Sequence, residues 1–368
     1  MTAAGSPVVI IGGGTAGSVV AHTLASMVDI PLVVIEPGPL TDDDAPRFLD
    51  GLTDDVLWHG LPMPQARALG GGSAVNGLIL SGPVPPWLEG LTHVATEDET
   101  GSVGRSFLSA GGKLSRLWWN NGRWNPARAV LHLAEEGRLR LVRAEAGRIN
   151  VKGDSAVSVQ AGAEEIGCSH VVVCAGALLT PRLLLRSGIG GNVGTGLQNH
   201  PTVTFGFDRR DGNTGVFDAT VIRHVEAGRA KGLMVAYERA SAGDDGSAMV
   251  TVSLMNPVSR GSVTAESVDF GLLSDPRDAA AMEAILGAAR DVMRRAGWES
   301  WEESAVHAVS HASSSCARSV DAFGRVQGFA NITVADASVL PWVPEDTPAA
   351  SVTMVARRIA TALGEVIR

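Results

Sequence analysis

Six residues, Gly12-Gly13-Gly14-Thr15-Ala16-Gly17, constrain this chain more than any others, because of what stands on either side of them. An apolar run, Val8-Val9-Ile10-Ile11, leads into them, and the small-residue stretch 18–25 leaves them before a second apolar run ends at Glu36. The pattern reads strand, tight turn, helix, strand. In that context Gly12 permits the sharp turn, Gly14 lets the backbone approach a pyrophosphate, and Gly17 lets helix and strand pack closely, with helix N–H groups facing the phosphate charge. Glu36 lies nineteen residues beyond Gly17, where its carboxylate is placed to accept both hydrogen bonds of an adenosine ribose. An acid there disfavours a 2′-phosphate and therefore NADP. The motif alone does not separate NAD from FAD. His22, on the same helix, is expected to be a packed or solvated side chain.

A chain of 368 residues has room for two domains, or for one large α/β domain carrying an insert. Apolar residues at 45% and charged residues at 19% exclude disorder as the main theme. Thirty Lys and Arg against thirty-nine Asp and Glu give −9, a balance that repels phosphate backbones and argues against nucleic acid as a partner. Cys168, Cys174 and Cys316 are an odd number without metal-ligand spacing, so neither a disulfide framework nor a structural metal is expected. No basic leader precedes the first apolar run, and nowhere do eighteen apolar residues follow one another. The expectation is a cytoplasmic protein without a membrane span.

A second glycine cluster, Gly70-Gly71-Gly72-Ser73, lies inside RALGGGSAVNGLI at 67–79, and VVVCAGALLTPRLLLRSGIG at 171–190 reads as another strand, turn and helix. Two stretches of bare backbone suggest one extended ligand. Here the sequence resembles the glucose–methanol–choline (GMC) oxidoreductases, FAD enzymes that oxidise alcohols: the two stretches match that family's two signatures. VGTGLQNHP at 193–201, NPVSRGSV at 256–263 (the family's substrate-domain strand start) and NITVADASVLP at 331–341 extend the resemblance almost end to end. It implies FAD, with the pyrophosphate at Gly12, Gly14, Thr15, Ala16 and Gly17, the adenosine ribose at Glu36, and the middle of the cofactor near Arg67, Gly70, Gly71, Ser73, Asn76 and Gly77. Further contacts are implied at Ala146, Ala175, Gly176, Ala335, Asp336, Pro348 and Ala349. Pro348 also suits the first turn of a helix over 349–367, whose N-terminus would favour negative charge on a reduced flavin.

The resemblance implies a catalytic base as well. His311 opens His-Ala-Ser-Ser-Ser-Cys, which aligns with the family's His-x-x-Gly-Thr-Cys, and imidazole suits removal of a hydroxyl proton near neutrality. His307, four residues earlier, would share a helical face with His311, a spacing that also suits a metal, but no third ligand is evident. The family places a His or Asn eleven residues after the Asp of its closing segment, to hold the substrate hydroxyl; here that position is Thr347, with one hydroxyl to offer. Asp346 beside it would oppose hydride transfer.

The expected fold is α/β: a Rossmann-like FAD-binding domain with an inserted α+β substrate domain built on an antiparallel sheet. The FAD-binding domain is assigned 1–85, 120–200 and 312–368, the substrate domain 201–311, and 86–119 a shortened cover that reads as loop. GLMVAYERA and SAMVTVSLM read as strands of the insert and 275–297 as an amphipathic helix. The acidic runs at 42–44 and 97–99 are expected to be solvated, and Trp118, Trp119 and Trp124 to be core or a substrate- or partner-facing surface. The function expected is oxidation of an alcohol substrate, neutral and including bulky ones, by hydride transfer to flavin with His311 as base. The electron acceptor is left open among oxygen, a quinone and a carrier such as mycofactocin. The alternatives are acid–base chemistry on the same scaffold without net oxidation, as in a lyase or cyclase, and a non-catalytic flavin-binding protein.

Overall fold

Val8–Ile11, Leu32–Ile35 and His170–Val173 are buried at every position, the pattern of strands covered on both faces. They form the middle of a five-stranded parallel sheet in a computed structural model that describes residues 5–41, 45–47, 52–208, 214–238 and 247–368. Its order is Ile332–Val334, His170–Val173, Val8–Ile11, Leu32–Ile35, Leu139–Val142, and Val8 pairs with both His170 and Leu32. Because side chains alternate across a strand, Val8 and Ile10 pack against the helices Thr15–Ala25 and Ala349–Ile367, while Val9 and Ile11 face Leu183 and Leu184 of the helix Gly176–Arg186 and the meander over 146–167.

A six-stranded antiparallel sheet forms the second layer, in the order Glu302–Glu303, Thr202–Asp208, Ser247–Leu254, Ala230–Glu238, Val221–Ala227, Lys113–Leu114. One face, with Phe205, Met234 and Val252, carries the helix Pro276–Arg295. Leu233 and Val235, one residue out of phase with Met234, face the other way onto Leu78, Leu80, Trp118 and Ala350. That second face lies over the segment that follows the second glycine cluster.

Several sequence expectations are corrected. The segment 86–119, read as loop, contains the helix Ser102–Ser109, whose Phe107 is fully buried against the antiparallel sheet, and the edge strand Lys113–Leu114. Gly261–Val263, expected as a strand start of the inserted sheet, pairs with Thr195–Leu197 in a small sheet of its own. Trp118 is fully buried and stacks on Trp124 at 4.7 Å, and Trp119 meets Phe217 edge-on, so these rings are core. In the acidic run 97–99, Glu99 is not simply solvated: it binds His93 at 2.8 Å and accepts the Thr96 N–H, contacts that outweigh its partial burial and lower its pKa. The run 42–44 and residues 239–240 lie outside the described residues. His22 is exposed, and the three cysteines are buried thiols. Among the described residues no helix is long and apolar enough to cross a membrane.

Candidate active site

The first glycine turn is built as its sequence demands. Gly12 has φ +97°, and a Cβ there would lie 2.5 Å from the Cys174 carbonyl oxygen; one on Gly17 would lie 1.8 Å from the Gly12 oxygen. Gly14 caps the helix without any side-chain bond, so the first-turn N–H groups, those of Thr15 and Ala16 among them, have no intrahelical acceptor. Glu36 ends the neighbouring strand and is buried. One carboxylate oxygen accepts the Gly13 N–H at 2.9 Å and the other the Gly38 N–H at 2.8 Å. Burial raises its pKa against the pull of those two bonds, and each oxygen keeps lone-pair capacity for a further donor.

The second cluster docks directly on the first. Gly70 donates its N–H to the Gly13 carbonyl at 2.8 Å, and Thr15 Oγ1 lies 2.7 Å from Ser73 Oγ. A Cβ on Gly71 would come within 2.8 Å of Gly14 Cα, whereas Gly72 and Gly176 face open space. Asn76 closes the one-turn helix Gly72–Val75, and its carbonyl and Oδ1 both accept from Arg123 Nη1, at 2.6 and 3.0 Å. Gly77 is half-buried beside it. Arg67 lies over the Trp58 ring at 5.7 Å, near enough for its charge to act on Glu36, and Ala146 begins the meander strand as a half-buried residue. Asn125, whose Oδ1 would lie 2.1 Å from a Cβ on Gly70, escaped the sequence reading. Neither it nor Arg123 stands in a motif.

The closing stretch is tied to the same end of the sheet. Asp336, buried, accepts from the Gly176 N–H at 2.8 Å, from Thr180 Oγ1 at 2.5 Å and from the Ser338 N–H at 2.8 Å. Ala335 donates its N–H to the Val173 carbonyl, and Ala175 N–H to Thr180 Oγ1. Burial raises the Asp336 pKa, opposed by these donors.

His311 lies in an extended segment, not on a helix. Gln198 and Ser313 exchange both backbone hydrogen bonds, as do Thr202 and His307, so 198–202 runs antiparallel to 307–313. The helical face expected for His307 and His311 therefore does not exist, and His307 Nε2 meets Thr204 Oγ1 at 3.0 Å instead. The partner of His311 is His200: their Nδ1 atoms are 2.9 Å apart, and His200 Nε2 lies 2.8 Å from the Pro344 carbonyl oxygen. Burial lowers the His311 pKa to about 4 and that of His200 to about 3, the neighbouring imidazole adding to the effect on His200.

These two, with His170, lowered by burial to about 4, couple stability to pH. An unfolded histidine titrates near 6.5, so on acidification the unfolded chain takes up protons first. The contribution is complete above about pH 6.5 and is lost as pH falls towards about 4. The urea midpoint is expected to fall continuously between pH 7 and 5, and a flat midpoint would contradict the burial of these rings.

Thr347 is occupied. Its hydroxyl donates to the Ile79 carbonyl at 3.0 Å and accepts the Ser81 N–H at 3.3 Å, while its own N–H goes to Ser81 Oγ. A hydroxyl has one proton, and this one is spent on the strand Ile79–Leu80. We therefore expect Thr347→Val to cost about 1–2 kcal/mol in urea unfolding and to leave KM for an alcohol nearly unchanged. A tenfold rise in KM would restore the substrate role. Pro348 and Ala349 begin the helix Ala349–Ile367, which has no side-chain cap.

Residues 92–202 and 257–356 match the two sequence models described as GMC oxidoreductase, N- and C-terminal parts. An uncharacterized GMC-type oxidoreductase of Rhodococcus erythropolis is 26% identical over 285 residues, 60% of this chain and 56% of that protein, so the chain matches little more than half the length of this relative. Among solved structures, pyridoxine 4-oxidase from Mesorbium loti superposes with TM-score 0.81 at 18% identity, covering 97% of this chain and 99% of that one. A formate oxidase variant of Aspergillus oryzae RIB40, studied for FAD modification, superposes with TM-score 0.78 at 15% identity, covering 99% of each chain.

Proposed function

The chain belongs to the GMC oxidoreductase family, and from that premise we propose that it oxidises a neutral alcohol to a carbonyl compound with FAD as cofactor and His311 as the proton acceptor. The local structure fits the dinucleotide. Uncapped N–H groups at Thr15 and Ala16 suit a pyrophosphate, Glu36 has acceptor capacity for a ribose, and the docked backbones of Gly14 and Gly70–Ser73 offer a surface that side chains would fill. The uncapped start of Ala349–Ile367 favours a nearby negative charge. FAD, when bound, supplies the hydride acceptor.

The observation that carries the reading is a half-buried imidazole, neutral at physiological pH, paired with His200 where the antiparallel sheet meets the closing stretch. A neutral imidazole accepts the hydroxyl proton as the substrate's C–H hydrogen leaves with its electron pair and the C–O bond becomes C=O. Its low proton affinity in the free chain rises beside the alkoxide charge that develops. Among the described residues the two histidines meet each other and the backbone at Pro344 and Met255, with no cation bonded to either ring, which suits a neutral substrate over a carboxylate or phosphate.

Anaerobic mixing of the yellow holoprotein with a panel of alcohols tests this: bleaching of the flavin band with one carbonyl formed per flavin is expected. A second reading, acid–base chemistry without net oxidation, draws on the engaged Thr347 hydroxyl, since the group that would hold the substrate beside the base is missing. Product formed while the flavin spectrum stays constant would select it.

A further inference from the structure

Resting on the assignment of His311 as proton acceptor, we propose that His200 is a positioning residue that fixes His311 in one tautomer and leaves the Nε2 lone pair of His311 bare towards the reacting hydroxyl. The relay starts at a backbone carbonyl. The Pro344 oxygen can only accept, so the His200 nitrogen 2.8 Å from it, Nε2, carries a hydrogen. The opposite assignment would set two lone pairs against each other at that distance. A neutral imidazole has one N–H, which leaves His200 Nδ1 an acceptor. His311 Nδ1, 2.9 Å away, must then donate. Its own single N–H is used there, and Nε2, the atom on the far side of the ring, has none. A base must present a lone pair, so a tautomer fixed with the hydrogen on Nε2 would be inert.

The surroundings hold this relay in register from three places in the chain. Asn199 brackets Val309, donating from Nδ2 to its carbonyl at 2.6 Å and accepting its N–H at Oδ1 at 3.1 Å. Gln198 accepts the Val343 N–H at 3.0 Å, which fixes the residue before Pro344. The rings of His200 and His311 meet edge to face with centroids 5.1 Å apart, and His200 has no exposed surface. His200 has both nitrogens engaged, so it positions His311 and does not itself meet substrate.

Nitrogen-15 NMR of imidazole-labelled holoprotein at pH 7 reads the tautomers without any substrate, with His311→Gln and His200→Asn spectra assigning the signals. The expected result is His311 protonated at Nδ1 and bare at Nε2, with His200 protonated at Nε2 and bare at Nδ1; the reverse, or averaging between the two forms, overturns the proposal. In His200→Asn an amide oxygen can take the place of Nδ1 as acceptor, so the His311 tautomer and the rate of flavin reduction by an alcohol should be largely kept. In His200→Leu the His311 Nε2–H form should appear, and the rate should fall about 10- to 100-fold. Equal behaviour of the Asn and Leu variants, both folded and yellow, would also overturn it. If the tautomers are as expected but His311→Ala reduces flavin at the parental rate, the relay stands and it is the proton-acceptor assignment that fails.

Discussion

His311→Ala holoprotein should keep its yellow colour and its fold yet reduce its flavin with alcohols about 10²–10⁴ times more slowly than the parent, the range that a general base supplies. The expectation of intact cofactor binding rests on distance along the chain. The backbone that suits FAD belongs to 12–17 and 70–73, and the segment after His311 is anchored without its ring: the Ser314 N–H reaches Ala337, the Cys316 N–H reaches Ser338, and Ser315 Oγ reaches the Ala177 carbonyl. Removal of the ring leaves His200 with an unmatched Nδ1, a cost to stability that urea unfolding separates from the rate. Added imidazole should recover part of the lost rate in the vacated space. A variant that bleaches as fast as the parent removes His311 from the chemistry.

Gly17→Ala should be the most damaging of the small changes. The new Cβ would sit 1.8 Å from the Gly12 carbonyl oxygen, and that oxygen is not free to retreat. Gly12 donates its N–H to Ile35 at 2.8 Å and is itself wedged against the Cys174 carbonyl. The helix Thr15–Ala25 must shift off the sheet instead, which disturbs the turn where a pyrophosphate would lie and the Thr15–Ser73 contact. We expect a colourless protein destabilised by about 3 kcal/mol or more, at the upper end of overpacking costs, measured by flavin absorbance and urea midpoint. Gly287→Ala, in the helix Pro276–Arg295, is the matched control: a Cβ there meets nothing within 4 Å, so colour and midpoint should stay close to parental. Full flavin content in Gly17→Ala would show that the close helix–strand approach is dispensable.

What could be read from the sequence was what local pattern encodes. The first glycine turn was legible because strand, glycines, helix and acid fall within thirty residues, and the strands of the inserted sheet because their runs read as alternating. The helix Ser102–Ser109 was not, since it is one residue beyond Gly101, contains Gly104 and ends before Gly111, all of which weaken helix propensity. There the burial of Phe107 overrides the local preference. His307 and His311 misled because a four-residue spacing reads as helical, while backbone pairing with 198–202 draws the segment out straight. His200 lies inside the VGTGLQNHP stretch at 193–201, but its pairing was not legible: its partners lie 111 and 144 residues away, and spacing along the chain does not announce them. Glu36 was legible as an acid at the strand end, but its two bonds to Gly13 and Gly38 depend on a turn shape that spacing does not specify.

The carbonyl that orients the imidazole relay belongs to Pro344, and the strand that completes the parallel sheet to Ile332–Val334. During synthesis, both histidines therefore leave the ribosome well before the group that orders them. A nascent polypeptide halted short of residue 344 would carry both imidazoles without the carbonyl that orders them, so their mutual orientation is set only after the strands that precede it have emerged.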